Sequence, residues 1–77
     1  MRVQVFAVLK DYFDKEFELP ENIHDMPALK EWLIRASPAS ASLLDSCRFA
    51  VKDEFIDNDF QLAKNDTIYI IPPGSGG

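Results

Sequence analysis

Seventy-seven residues, 47% hydrophobic and 27% charged, suit one folded domain and not a disordered chain. A formal net charge of −5 argues against nucleic acid and against anionic membrane surfaces, and it suits a basic protein partner. Cys47 is the only cysteine, so no internal disulfide is expected. The start of the chain lacks a signal-peptide core, and no stretch is long enough to span a bilayer, so a cytoplasmic protein is expected.

Arg2 to Leu9 alternates with period two and predicts the first strand, with Val3, Val5, Ala7 and Leu9 facing the core. Phe6 and Val8 then fall on the other face, where the alternation alone expects them to be covered by an edge element. Lys10 to Lys15 is a charged turn or short helical link. Glu16 to Leu19 alternates again, stops at Pro20, and is close enough to the first strand to pair with it as a hairpin.

The clearest element is a helix. Asp25 is suited to cap it by accepting from the Ala28 N–H, and Pro27 falls in the first turn, where a missing N–H costs little. Met26, Leu29, Leu33 and Ala36 recur at helical spacing, with Trp32 beside that stripe as core. Ser37-Pro38 ends the helix. A short helical turn within Ser40 to Ser46 tucks in Leu43 or Leu44.

Arg48 to Val51 predicts a buried strand, Lys52-Asp53 a tight turn, and Glu54 to Ile56 a short returning strand. Leu62 plugs the core from an irregular stretch. Asn65-Asp66 turns the chain into the last strand, Thr67 to Ile71, with Ile68 and Ile70 inward and Tyr69 and Ile71 outward. The first and last strands are the longest and most apolar, so they belong side by side and parallel in the sheet centre. The fold class expected is α+β: a β-grasp, ubiquitin-like arrangement of four or five mixed strands on one main helix. The domain spans 1–71, and 72–77 form a flexible C-terminal tail.

That tail is Pro72-Pro73-Gly74-Ser75-Gly76-Gly77. The prolines cannot continue a ladder, and three of the last four residues are glycine. An extended, mobile end is expected. Fully stretched it reaches roughly 20 Å, and its glycine terminus has no Cβ to clash with a narrow channel. Elsewhere, chemistry is sparse. His24 is the only histidine and Cys47 has nothing to orient it as a nucleophile, so no metal site is expected. The glycines all lie in the tail, so no phosphate-binding loop precedes it. Asp53, Glu54, Asp57 and Asp59 lack the spacing of a calcium loop and suit a solvated face. What remains is a terminal carboxylate, which becomes reactive only when a partner activates it.

Three stretches resemble the small subunit of molybdopterin synthase, the MoaD-type sulfur carriers of the ubiquitin-like superfamily. Ile70-Ile71-Pro72-Pro73-Gly74-Ser75-Gly76-Gly77 is similar to the family's apolar-apolar-Pro-Pro-x-x-Gly-Gly ending. Val5-Phe6-Ala7-Val8-Leu9-Lys10-Asp11 is similar to its opening. Ala50-Val51-Lys52-Asp53-Glu54-Phe55-Ile56 resembles an internal segment in which Lys52 stands for the usual asparagine.

The resemblance implies a sulfur carrier that is not catalytic alone and binds no cofactor. ATP is used by an E1-like adenylyltransferase, which adenylates Gly77. A sulfur donor protein then makes the thiocarboxylate, and the large catalytic subunit of molybdopterin synthase receives the sulfur on a cyclic pyranopterin monophosphate. It further implies that Phe6, Phe55 and Ile71 are exposed partner contacts, that Lys10, at a basic family position, is a secondary candidate contact, and that Pro72, Pro73, Gly74, Ser75 and Gly76 belong to the inserting, partner-binding tail. A carrier serving thiamine synthesis or tRNA thiolation, or a modifier conjugated through Gly77, is the alternative.

Overall fold

The two most apolar strands, β1 (Arg2–Val5) and β5 (Thr67–Ile71), pair in parallel with Val3 opposite Ile68 and Val5 opposite Ile70. This is seen in a computed structural model, which describes residues 1–74. All four of these side chains are at most 1% exposed. The period-two pattern therefore does here what it does in any one-sided sheet, sending alternate residues to one buried face. Against the outer side of β1 lies β2 (Glu16–Glu18), antiparallel, and Arg2 reaches across to Glu16 and Glu18 at 3.3 Å each. On the other side of β5 lies β3 (Arg48–Val51), antiparallel, and then β4 (Glu54–Ile56). The sheet order is β2-β1-β5-β3-β4, with β5 in the middle.

One face is packed by α1 (Met26–Ala36). Asp25 Oδ1 accepts from the Ala28 N–H at 2.9 Å, a cap that contributes about 1 kcal/mol. Met26, Leu29 and Leu33 are buried in a single core with Val3, Val5, Phe49, Ile68 and Ile70. Ala36 is exposed, so the apolar stripe ends one turn earlier than its spacing predicts. Trp32 is half-buried and stacks on Phe17 at 5.7 Å, which stacks on Phe13 at 5.8 Å. A short helix, α2 (Ala41–Asp45), buries Leu44 at 3% exposed and leaves Leu43 half-covered. Leu62 is buried as expected, its N–H donating to the His24 carbonyl at 2.9 Å.

The first strand is shorter than its alternation predicts. It stops at Val5, Ala7 takes a left-handed φ of 54°, and Ala7–Asp11 winds into a 3-10 helix. Leu9 still reaches the core, but from that helix, while Ala7 is exposed. A four-residue apolar run does not distinguish a strand from a tight helical turn that buries its last member. Phe6 and Val8 are uncovered as a result, at 41% and 47% exposed.

Candidate functional site

The sheet face turned away from α1 carries the site. Register sets out a row of neighbours across four strands: Gln4 opposite Tyr69, Tyr69 opposite Ala50, Ala50 opposite Phe55. One step along, Arg48 lies opposite Ile71. Phe6 follows the end of β1, and its ring stacks on Tyr69 with centroids 6.1 Å apart. Ala50 supplies only a methyl group, so it forms a floor between taller neighbours. The outcome is a shallow depression of about 270 Å³ lined by Phe6, Ala50, Asp53, Phe55, Tyr69 and Ile71.

Phe55 forms one wall and is 56% exposed, an unusual position for a phenylalanine on a three-residue strand. The Arg48 guanidinium sits over its ring, 3.8 Å from the centroid. The turn below it, Lys52-Asp53, joins β3 and β4 through two residues with φ of 52° and 67°. That is the left-handed pair a two-residue hairpin needs, built here without the usual asparagine and glycine. Lys52 therefore leaves the tight turn intact.

Phe6, Phe55 and Ile71, which the sequence resemblance grouped as contacts, thus line one surface. Lys10 is exposed on the 3-10 helix and lies outside that lining. Pro72 is buried, so it has little surface to offer a partner. Pro73 and Gly74 are exposed and lie in a turn with Gly74 at φ 62°, so the straight course expected from Pro72 onward does not hold there. Ser75, Gly76 and Gly77, with the partner-binding role and the reactive end assigned to them, lie outside the described residues.

Tyr69, Ala50 and Asp53 are the lining residues that sequence reasoning missed. Only Tyr69 left a signal, since it shares the outward parity of Ile71. His24 is exposed beside Lys64 in a separate hollow and is not brought to Cys47. The half-buried Cys47 thiol donates to the Leu43 carbonyl at 3.2 Å, and burial pushes its pKa up, the opposite of an activated nucleophile. Among the described residues no helix is long and apolar enough to cross a membrane.

A family model described as the ThiS family matches residues 3–77. The chain belongs to the ThiS family. It is 35% identical over 66 residues to the molybdopterin synthase sulfur carrier subunit of Chlamydomonas reinhardtii, covering 83% of this chain and 78% of that one. The ThiS-family chain also superposes on one chain of a solved complex of subunits 1 and 2 of the molybdopterin-converting factor from Helicobacter pylori 26695. The TM-score there is 0.72 at 26% identity, over 99% of this chain and 96% of the other. It shares its fold with SAMP1 from Haloferax volcanii at TM-score 0.81 and 20% identity, covering 99% and 97% of the two chains. The β-grasp, ubiquitin-like architecture and the MoaD-type resemblance expected from the sequence both hold, with five strands present and the short helix expected between Ser40 and Ser46 formed as Ala41–Asp45.

Proposed function

We propose that this protein is the sulfur-carrying small subunit of a molybdopterin synthase. The observation that carries the reading is that one strand serves both needs of a carrier. β5 places Tyr69 and Ile71 in the exposed apolar depression and then leads directly into Pro72-Pro73-Gly74-Ser75-Gly76-Gly77. A partner that grips the depression holds the chain beside its reactive end. The 35% identical sulfur carrier subunit supports the same role.

In this reading residues 1–71 are the gripped domain and 72–77 the tail that is loaded, in the cytoplasm. An E1-like adenylyltransferase supplies ATP. A Gly77 carboxylate oxygen attacks the α-phosphate and pyrophosphate leaves. Sulfide delivered by a donor protein then attacks the activated carbonyl and AMP leaves, giving a thiocarboxylate. The tail enters the large catalytic subunit, its sulfur bonds to a cyclic pyranopterin monophosphate, and water takes the glycyl acyl group, restoring the Gly77 carboxylate. The carrier itself holds no cofactor and contributes position. Incubation of the full chain with its activating enzyme, ATP and a sulfur source, read by intact-mass spectrometry, gives one oxygen exchanged for sulfur at Gly77. No exchange under conditions that convert a control carrier refutes the proposal.

A further inference from the structure

We infer that Arg48 is a positioning residue, which holds the Phe55 ring in one rotamer and so keeps the docking depression shaped before a partner arrives. The inference rests on the docking role proposed above for this face. Phe55 has little else to hold it. It lies on an edge strand, β4, with a neighbouring strand on one side only, and its directly opposite residue is Ala50, a methyl group. More than half of its surface faces water. An aromatic so placed has more than one rotamer open to it, and a partner would have to order it on docking.

Register answers that need. Arg48 lies two residues before Ala50 on the same face, diagonally across from Phe55, within reach of a long side chain. Its guanidinium carbon lies over the ring, 3.8 Å from the centroid, and among the described residues Arg48 makes no ion pair that would draw it elsewhere. A ring face attracts a guanidinium, and the planar, delocalised group stacks where an ammonium does not.

Phe55 is also a partition. It lines the apolar depression with Tyr69 and Ile71, and it lines a second, more polar hollow of about 450 Å³ with Lys30, Cys47 and Arg48. A ring that swung between rotamers would open one hollow into the other. Pinning it keeps the apolar surface closed on that side.

Two measurements test this. In the free full-length protein, NMR couplings across the Phe55 Cα–Cβ bond report a single rotamer, and the Arg48 Hδ protons are shifted upfield by the ring. Arg48→Gln and Arg48→Lys give averaged couplings, and Phe55→Leu removes the upfield shift. Averaged couplings in the unaltered protein overturn the inference without reference to any partner. Binding to the large synthase subunit is then measured by calorimetry. Arg48→Gln weakens it about two- to five-fold, and in a Phe55→Ala background the same change has no further effect. Equal losses in both backgrounds show that Arg48 acts on the partner directly and overturn the positioning role. Failure of the unaltered protein to bind sinks the proposed function instead, and the couplings still decide what Arg48 does.

Discussion

Truncating Phe55 separates a docking wall from a core residue. A fully buried phenylalanine removes roughly 150–250 Å² from water. Phe55 keeps 56% of its surface exposed, so folding covers roughly 65–110 Å² of it, about 1.5–3 kcal/mol at ~25 cal/mol per Å². Alanine retains the Cβ, and the unfolded chain already covers part of that area, which leaves a loss of about 1–2 kcal/mol. For a domain of this size each kcal/mol lowers Tm by roughly 4–8 °C. An exposed aromatic at the centre of an interface costs upward of about 2 kcal/mol when truncated, or roughly 30-fold in Kd. Phe55→Ala is therefore expected to weaken binding to the large synthase subunit at least 30-fold with a modest fall in Tm. Calorimetric titration and thermal melting on the same preparations check both. A stability loss of about 3–5 kcal/mol, the range for a core aromatic, with Kd unchanged, would refute the assignment of this face.

Deleting Gly77 abolishes sulfur loading by mass spectrometry and leaves Tm unchanged, because the β5 ladder ends at Ile71 and a glycine has no side chain to lose. Lys52→Asn raises stability by about 0.5–1 kcal/mol, since asparagine tolerates the left-handed φ of 52° better than lysine; melting curves check it. Cys47 alkylates more slowly than an unstructured cysteine peptide at pH 8, because burial raises its pKa and depletes the thiolate. That raised value also fixes a sign. Its contribution to stability is present below the ordinary thiol pKa and is lost as pH rises through the folded one, which denaturant titrations across the alkaline range detect.

Most of the scaffold was legible because its signals are local. The Asp25 cap, the Met26-Leu29-Leu33 spacing and the alternation of β5 each sit within a few residues of one another, and each formed as predicted. The parallel pairing of β1 with β5 followed from placing the two most apolar strands in the centre. The exceptions have physical causes. Phe6-Ala7-Val8-Leu9 satisfies a strand pattern and a 3-10 helix equally well, and only the backbone reversal at Ala7 decides between them. Pro72 falls in the predicted tail because it cannot extend a ladder, yet lacking an N–H does not prevent its ring from packing. The depression was harder still. Phe6, Ala50, Phe55 and Tyr69 come from four strands or strand ends, and only the register across the sheet brings them together. The resemblance supplied Phe6, Phe55 and Ile71. It had no means to supply Arg48 above Phe55, a contact that depends on how β3 pairs with β4.

The placement of glycine ties the surface to the end of the chain. Among the described residues, three that are not glycine hold left-handed backbone, namely Ala7, Lys52 and Asp53. Each is a position where glycine would relieve strain. Ala7 directly follows Phe6, and Lys52-Asp53 directly precedes the strand that carries Phe55. The two exposed aromatic walls are thus both mounted on tight turns that lack a glycine hinge, and such strain persists only where the surroundings over-determine the backbone. All three glycines of the chain come after Pro73, at Gly74, Gly76 and Gly77. A carrier has two opposed requirements: a surface whose shape a partner recognises without waiting for it to order, and an end that fits more than one enzyme's channel. This chain meets the first by accepting strain in L-residues around the depression. It meets the second by keeping its residues without a Cβ for the segment that would be loaded.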